Sequence, residues 1–178
     1  MFALSSQESV GRMFAFLVSF LLLGSTLAKV FTPCELAEVL RETGKVPEEQ
    51  ISTWVCIARY ESEFNSSAVG SQNGDGSNDH GIFQISDKYW CSPEGYACNV
   101  SCEQLTDDDL TDDVKCARRI YRQHQRLQGD GFKAWAVYQR MCSGDTSKFI
   151  NNCSEDKKPK ENNIDTKETK KRSLFWPF

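Results

Sequence analysis

Eight cysteines, at positions 34, 56, 91, 98, 102, 116, 142 and 153, constrain this chain more than any other feature. An even set of widely spaced cysteines reads as a framework of four disulfides, which requires an oxidising compartment. A zinc site is the weaker alternative. Cys98 and Cys102 are separated by three residues, and no histidine or cysteine pair of zinc-ligand spacing accompanies them. Eight cysteines allow on the order of a hundred pairings, and their positions alone do not choose among them.

The N-terminus supplies the compartment. A polar start reaching Arg12 gives way to the apolar run Met13 to Leu23, then to Gly24-Ser25-Thr26-Leu27-Ala28. This is the pattern of a secretory signal peptide, residues 1–28, with cleavage before Lys29. Its apolar run is too short to cross a bilayer comfortably, so a stable membrane anchor is not expected and the product is secreted and extracellular. Residues 29–153 then form one domain of 125 residues holding every cysteine. That domain carries 13 Lys and Arg against 19 Asp and Glu. The excess of acid argues against nucleic acid as a partner and against killing by membrane disruption, which favours a basic surface. From Ser154 the composition turns to Lys, Glu, Asn, Asp and Thr, with aromatic residues only at Phe175, Trp176 and Phe178. Residues 154–178 are expected to be a disordered, charged tail.

Within the domain, Thr32, Pro33 and Glu35 spell a capped helix start, with Phe31 and Leu36 able to close over it. Leu36, Val39 and Leu40 share a face up to Gly44. A second helix begins near Pro47-Glu48-Glu49 and carries Trp54, Val55, Ile57 and Ala58 toward Tyr60 and Glu61. The run Asn73-Gly74-Asp75-Gly76 forms a turn, and Asp79 to Ile85 suits a short strand after it, giving two small strands. Beyond Cys102 the helical period returns, with Asp112 and Asp113 ahead of Val114, Ala117, Ile120 and Tyr121, and again from Phe132 through Cys142. The fold class is α+β, mostly helical with a small antiparallel sheet.

Two carboxylates stand in opposed settings. Glu61 closes an apolar helix, whereas Asp79 sits among Asp75, Ser77 and Asn78. A glutamic acid against apolar neighbours keeps its proton toward neutral pH, and an aspartate among hydroxyls and amides stays ionised. An isolated pair 18 residues apart is more often two surface groups, so the surrounding words decide. Trp54 to Asn65 and Asp75 to Ile85 resemble the two active-site segments of the C-type lysozyme family, and the likeness extends over Lys29 to Cys153, with the Tyr89-Trp90-Cys91 word and Ala134-Trp135.

That resemblance implies a lysozyme-like fold and a lysozyme activity. The substrate is bacterial cell-wall peptidoglycan, or a chitin-like oligosaccharide, cleaved by a monomer with no cofactor for catalysis. Glu61 matches the general acid and Asp79 the nucleophile or charged stabiliser, about 5 Å away, in a reaction of which lysozyme is the type case. The implied disulfides are Cys34 to Cys153, Cys56 to Cys142, Cys91 to Cys102, and Cys98 to Cys116. Tyr89 and Trp90 would stack on sugar rings, with Asn73, Ser77 and Gln84 as polar partners and Trp135 keeping the acid's surroundings apolar. Trp90 also suits an ordinary core position. Ser86 stands where many members have asparagine, which removes one expected sugar contact. The acidic domain suits a digestive enzyme better than one drawn to anionic envelopes.

Gln104 to Asp113 places five carboxylates within seven residues, from Asp107 to Asp113. Its order resembles the calcium loop of α-lactalbumin, a relative in the same superfamily. The match implies side-chain ligands from Asp107, Asp112 and Asp113, and carbonyls from Gln104 and Asp109. Asp112 and Asp113 alternatively favour the positive end of a helix dipole. The same resemblance opens a rival function, a non-catalytic calcium-binding protein that binds carbohydrate. Such relatives usually lack one or both carboxylates, and Glu61 and Asp79 are both present. Asn-x-Ser sequons at Asn65, Asn99 and Asn152 mark candidate glycosylation sites, with Asn99 expected to be the most accessible and the other two shielded.

Overall fold

Thr32 and Glu35 build the start of helix α1 (Pro33–Glu42). The Glu35 amide donates to Thr32 Oγ1 at 3.2 Å, and the Thr32 amide donates to Glu35 Oε2 at 2.7 Å. This reciprocal cap satisfies donors that a helix start leaves open, and Phe31 and Leu36 are both buried over the entry. The computed structural model describes residues 28–71, 73–92 and 96–153. The leader expected from sequence, save Ala28, and the expected tail therefore lie outside the described residues.

Helix α2 (Glu48–Ser62) buries Ile51, Trp54, Val55, Cys56, Ile57 and Ala58. A helix apolar around most of its circumference belongs in the middle of a domain. Trp54 is the centre of that core, its ring lying 4.9 Å from Trp135, 5.1 Å from Phe132, 5.5 Å from Phe83 and 5.9 Å from Tyr121 between centroids. Most of these contacts are edge-to-face, the favoured aromatic geometry.

The sheet has three strands of two residues each, β1 (Val69–Gly70), β2 (Asp79–His80) and β3 (Ile85–Ser86), antiparallel in that order. Asp79 lies opposite Gly70 on one side and Ser86 on the other. The single strand expected over Asp79 to Ile85 is thus two strands joined by a turn, because Gly81 (φ +75°) and Gln84 (φ +47°) leave the extended region. Strand β1 carried no sequence signal strong enough to announce it.

Helix α3 (Thr111–Gln128) follows and ends at Gly129 in the left-handed conformation. The expected helix from Phe132 through Cys142 is broken. A 3₁₀ turn (Gly131–Ala134) stops at Trp135, whose φ of −104° and ψ of 121° are extended, and a π turn (Tyr138–Cys142) comes after it. The break lets Trp135 Nε1 donate to Phe83 O at 2.9 Å while its ring packs on Trp54. A last 3₁₀ turn is Ser147–Phe149.

Four disulfides brace these elements: Cys34–Cys153 joins α1 to the end of the domain, and Cys56–Cys142 pins the π turn to α2. Cys91–Cys102 and Cys98–Cys116 hold the loop after β3, the second of them to α3. No helix among the described residues is long and apolar enough to cross a membrane.

Gly81 and Gly44 both have positive φ, but a Cβ at Gly81 would collide with Leu105 O and Asp113 Oδ1, whereas at Gly44 it meets open space. Urea denaturation should show Gly81→Ala losing about 3 kcal/mol and Gly44→Ala about 1 kcal/mol. Equal losses would mean that the close approach at Gly81 does not constrain the fold.

Candidate active site

Glu61 occupies the last turn of α2. That helix end is fixed by Ser62, whose Oγ donates to Ala58 O at 3.1 Å and to Ile82 O at 2.8 Å, tying α2 to the turn between β2 and β3. The chain then leaves the helix sharply through Glu63 and Phe64, both at positive φ. Asp79 on β2 is held from the other side. Asn73 Nδ2 donates to Asp79 Oδ2 at 3.0 Å and to Ser77 Oγ at 3.1 Å. Ser77 Oγ donates to Asp75 Oδ1 at 2.7 Å, and Lys88 Nζ meets Asp75 at 2.7 Å, so the loop below Asp79 is internally bonded.

Both carboxylates line one cleft of about 250 Å³, with Ile120, Ala134, Trp135 and Ala136 giving it an apolar side. Burial against that side, reinforced by the negative charge of Asp79 and opposed by Arg140, pushes the Glu61 carboxyl up to about 7. A carboxyl that keeps its proton near neutral pH can donate it, and Asp79 places a second carboxyl group in the same cleft.

The other residues singled out from sequence divide by position. Gln84, Ser86, Trp90 and Trp135 line the cleft. Gln84 Nε2 is committed to Gly81 O at 2.9 Å and Ala68 O at 3.2 Å, which holds the turn. Ser77 is largely buried in the loop beneath Asp79, and Tyr89 is exposed outside the lining residues, its ring 5.5 Å from Lys88 Nζ. Sequence reasoning missed Ser62 and Arg140, because only the folded chain brings Ser62 to the turn between β2 and β3 and lets the charge of Arg140 act on Glu61. It also missed the His80 to Asp87 contact, Nε2 to Oδ2 at 3.6 Å, which braces β2 against the chain after β3. His80 lies beside Cys91 and Cys102, but those two sulfurs are joined to each other and are not free ligands.

Residues 29–153 match the family of C-type lysozymes and alpha-lactalbumin. The chain belongs to that family. Lysozyme P of Drosophila melanogaster is 42% identical over 134 residues, spanning 72% of this chain and 89% of its own. A lysozyme from Litopenaeus vannamei is similar in structure, with 39% identity, a TM-score of 0.65 and 71% of this chain matched to 98% of that one. A calcium-binding lysozyme from equine milk, at 36% identity and a TM-score of 0.62, matches 70% of this chain and 98% of its own.

In this member of the C-type lysozyme family the acidic run lies between the 3₁₀ turn Gln104–Thr106 and the start of α3. Asp113 is fully buried, and among the described residues neither of its oxygens has a hydrogen bond of normal geometry. Burial raises its pKa well above the carboxylate range; the Asp112 and Asp107 charges add to this, and the nearby Asp113 and Ile82 amides offset part of it. Asp112 is raised as well, by burial and then by Asp109 and Asp107, and its Oδ2 accepts from Gln104 Nε2 at 3.1 Å. Asp107 Oδ1 accepts the Asp109 amide at 2.8 Å. A buried carboxyl with no well-formed hydrogen bond among the described residues, set among other carboxylates, has the oxygen chemistry that a hard cation satisfies. The residues fit calcium.

The sequons differ in setting. Asn99 is exposed, Asn65 is partly buried with Oδ1 accepting the Ser67 amide at 3.0 Å, and Asn152, expected to be shielded by Cys153, is exposed.

A carboxyl raised from 4.5 to about 7 contributes stability that is complete below the lower value and lost as pH rises through the upper one. Glu61→Gln, which carries no charge at either pH, should therefore gain on the parent chain by about 1–2 kcal/mol between pH 4 and pH 8, allowing for partial exposure. Urea denaturation at both pH values checks this. A difference that does not vary with pH would contradict it.

Proposed function

We propose that this protein is a secreted lysozyme that hydrolyses the β-1,4 bond between N-acetylmuramic acid and N-acetylglucosamine in bacterial peptidoglycan. The observation that carries this reading is the Glu61 carboxyl, raised to about 7 by burial in a cleft it shares with Asp79. Glu61 protonates the departing glycosidic oxygen, while the Asp79 carboxylate attacks or stabilises the oxocarbenium-like carbon from the other face of the sugar. Glu61, now a base, takes a proton from water, and hydrolysis ends with retention, the two-carboxylate chemistry for which lysozymes are the type case. Asn73 fixes the orientation of Asp79 through its 3.0 Å hydrogen bond. Trp90, on the cleft wall, offers a face for sugar stacking, with exposed Tyr89 beside it. Gln84 shapes the floor through its backbone bonds, and Ser77 supports Asn73 from below.

Assayed on bacterial peptidoglycan, the secreted chain should release reducing ends, and Glu61→Gln should reduce the rate at least 100-fold, on the order expected for loss of a general acid. Because the acid must be protonated, the alkaline limb of the rate profile should fall near pH 7. Unchanged turnover in Glu61→Gln would remove this residue from the mechanism.

The second reading is a calcium-binding, carbohydrate-binding protein without hydrolytic activity, favoured by the unpartnered carboxylate of Asp113. Calcium binding and catalysis are compatible, and we place the metal in a structural role. Asp107, Asp112 and Asp113 would supply side-chain oxygens, with carbonyls from Gln104 and Asp109; the cation would neutralise the carboxylates that now raise one another. Thermal melts in excess calcium should lie well above those in chelator, by about 2.7 kcal/mol of added stability when free calcium is a hundred times its Kd. Asp113→Asn should abolish the difference. Identical melts in calcium and chelator would sink the site.

A further inference from the structure

Among the described residues the Asp79 carboxylate has one hydrogen bond from a side chain, the 3.0 Å donation from Asn73 Nδ2. Ser86 stands opposite Asp79 across the sheet and lines the same cleft, but its hydroxyl makes no hydrogen bond among the described residues. The placement of Asp79 therefore depends on the strand that carries it. Successive side chains along a strand point to opposite faces. Asp79 lines the cleft, so Asn78 and His80 lie on the far face, where a His80 ring nitrogen is within 4.8 Å of the Cys91 and Cys102 sulfurs. Asp87 reaches both of them there. The Asn78 amide donates to Asp87 Oδ1 at 3.1 Å, Asn78 Nδ2 donates to Asp87 Oδ2 at 3.0 Å, and His80 Nε2 lies 3.6 Å from Oδ2. The Asp87 amide returns a bond to Asn78 O at 2.9 Å. Asp87 is buried, and its pKa is lowered: burial opposes this, and the Asn78 bonds and the His80 contact outweigh it. An ionised carboxylate outside the cleft lining thus grips the residues on either side of Asp79.

We propose that Asp87 is a positioning residue for the reaction: its grip on Asn78 and His80 fixes where the Asp79 carboxylate stands in the cleft. This rests on the hydrolytic reading of the cleft given above. Hydrogen bonds to an ionised acceptor are stronger than neutral ones, so two of them from Asn78 make a stiff clamp. The clamp acts on the strand, and Asn73 acts on the side chain. Asp87 therefore sets the position of the Asp79 backbone, while Asn73 sets the orientation of its carboxylate. Lys88, the next residue, meets Asp75 in the loop that also holds Asn73 and Ser77, so one stretch of chain supports Asp79 from both directions. A misplacement of about 1 Å at a reacting group can cost on the order of 100-fold in rate. Glu61 senses the same placement, because the charge of Asp79 helps to raise its pKa. Released from the clamp, Asp79 is free to move toward water, where its charge is screened and Glu61 loses part of that effect.

The test is a double-mutant cycle between Asp87 and Asp79 in the full secreted chain, well below its melting temperature. Turnover of a defined peptidoglycan oligosaccharide gives kcat and KM, and carboxyl carbon-13 NMR gives the Glu61 midpoint. Asp87→Ala should lower kcat on the order of 10-fold with KM little changed. It should also lower the Glu61 midpoint, in the same direction as Asp79→Asn does. Asp87→Asn, which keeps one acceptor oxygen for Asn78, should fall between Asp87→Ala and the parent chain. In the Asp79→Asn background, Asp87→Ala should cost nothing further in either quantity, because the group it positions is gone. A residue that only supports the fold would lower the melting temperature and leave the kcat and Glu61 midpoint of the folded protein unchanged. That result overturns the proposal, as do equal losses with and without the Asp79 carboxylate. If Asp87→Ala does not fold, Asp87→Asn carries the same cycle. A parent chain that cleaves no peptidoglycan sinks the hydrolytic reading, and the Glu61 midpoint in the same four proteins then decides whether Asp87 places Asp79.

Discussion

A carboxyl group at the end of α2 is kept from water by the side chains that complete the core. Trp135 packs its ring against Trp54 in the middle of the domain and also forms part of the cleft wall beside Glu61. Its indole N–H is satisfied by Phe83 O, so the ring is locked in that place. Desolvation of Glu61 is consequently a by-product of core packing, and the extended backbone at Trp135 that interrupts the helical segment makes it possible. The apolar wall disfavours the charged form of the acid, and Asp79 adds to the effect from across the cleft.

Strand β2 links this cleft to the acidic loop. Asp79, His80 and Gly81 are consecutive, and the absent side chain at Gly81 allows Leu105 O and Asp113 Oδ1 to come close. The turn that follows Asp79 therefore rests on the segment proposed to hold calcium. A cation there would give the buried Asp113 oxygens a partner beside Gly81, which connects a structural cation to the placement of Asp79 without any role in the chemistry. Ser62 and the His80 to Asp87 contact tie the same turn to α2 and to the loop after β3.

Much of the fold was legible because its signals are local. The Thr32 and Glu35 cap, the apolar face of α2 and the period of α3 each lie within a few residues, and the mostly helical α+β class followed from them. The small sheet was less legible, since strands of two residues are shorter than any alternation can announce, and the backbone at Gly81 and Gln84 divides what reads as one strand. The break at Trp135 was hidden for a different reason. Its cause is a hydrogen bond to Phe83, 52 residues away. At the cleft, residue types and surrounding words singled out Glu61 and Asp79, but the desolvation of Glu61 depends on Ile120, Ala134 and Trp135, which no spacing connects to it. Arg140 was invisible on the same ground.

The decisive quantity is the ionisation of one side chain, and it can be read directly. Carbon-13 labelling of the glutamate carboxyls, followed by NMR across pH with Glu61→Gln used for assignment, gives the Glu61 midpoint in the folded protein. A midpoint near 7 that falls in Asp79→Asn, as removal of the neighbouring charge requires, is the expected result. A midpoint near 4.5 that is indifferent to Asp79→Asn would contradict the assignment of Glu61 as the acid of this cleft.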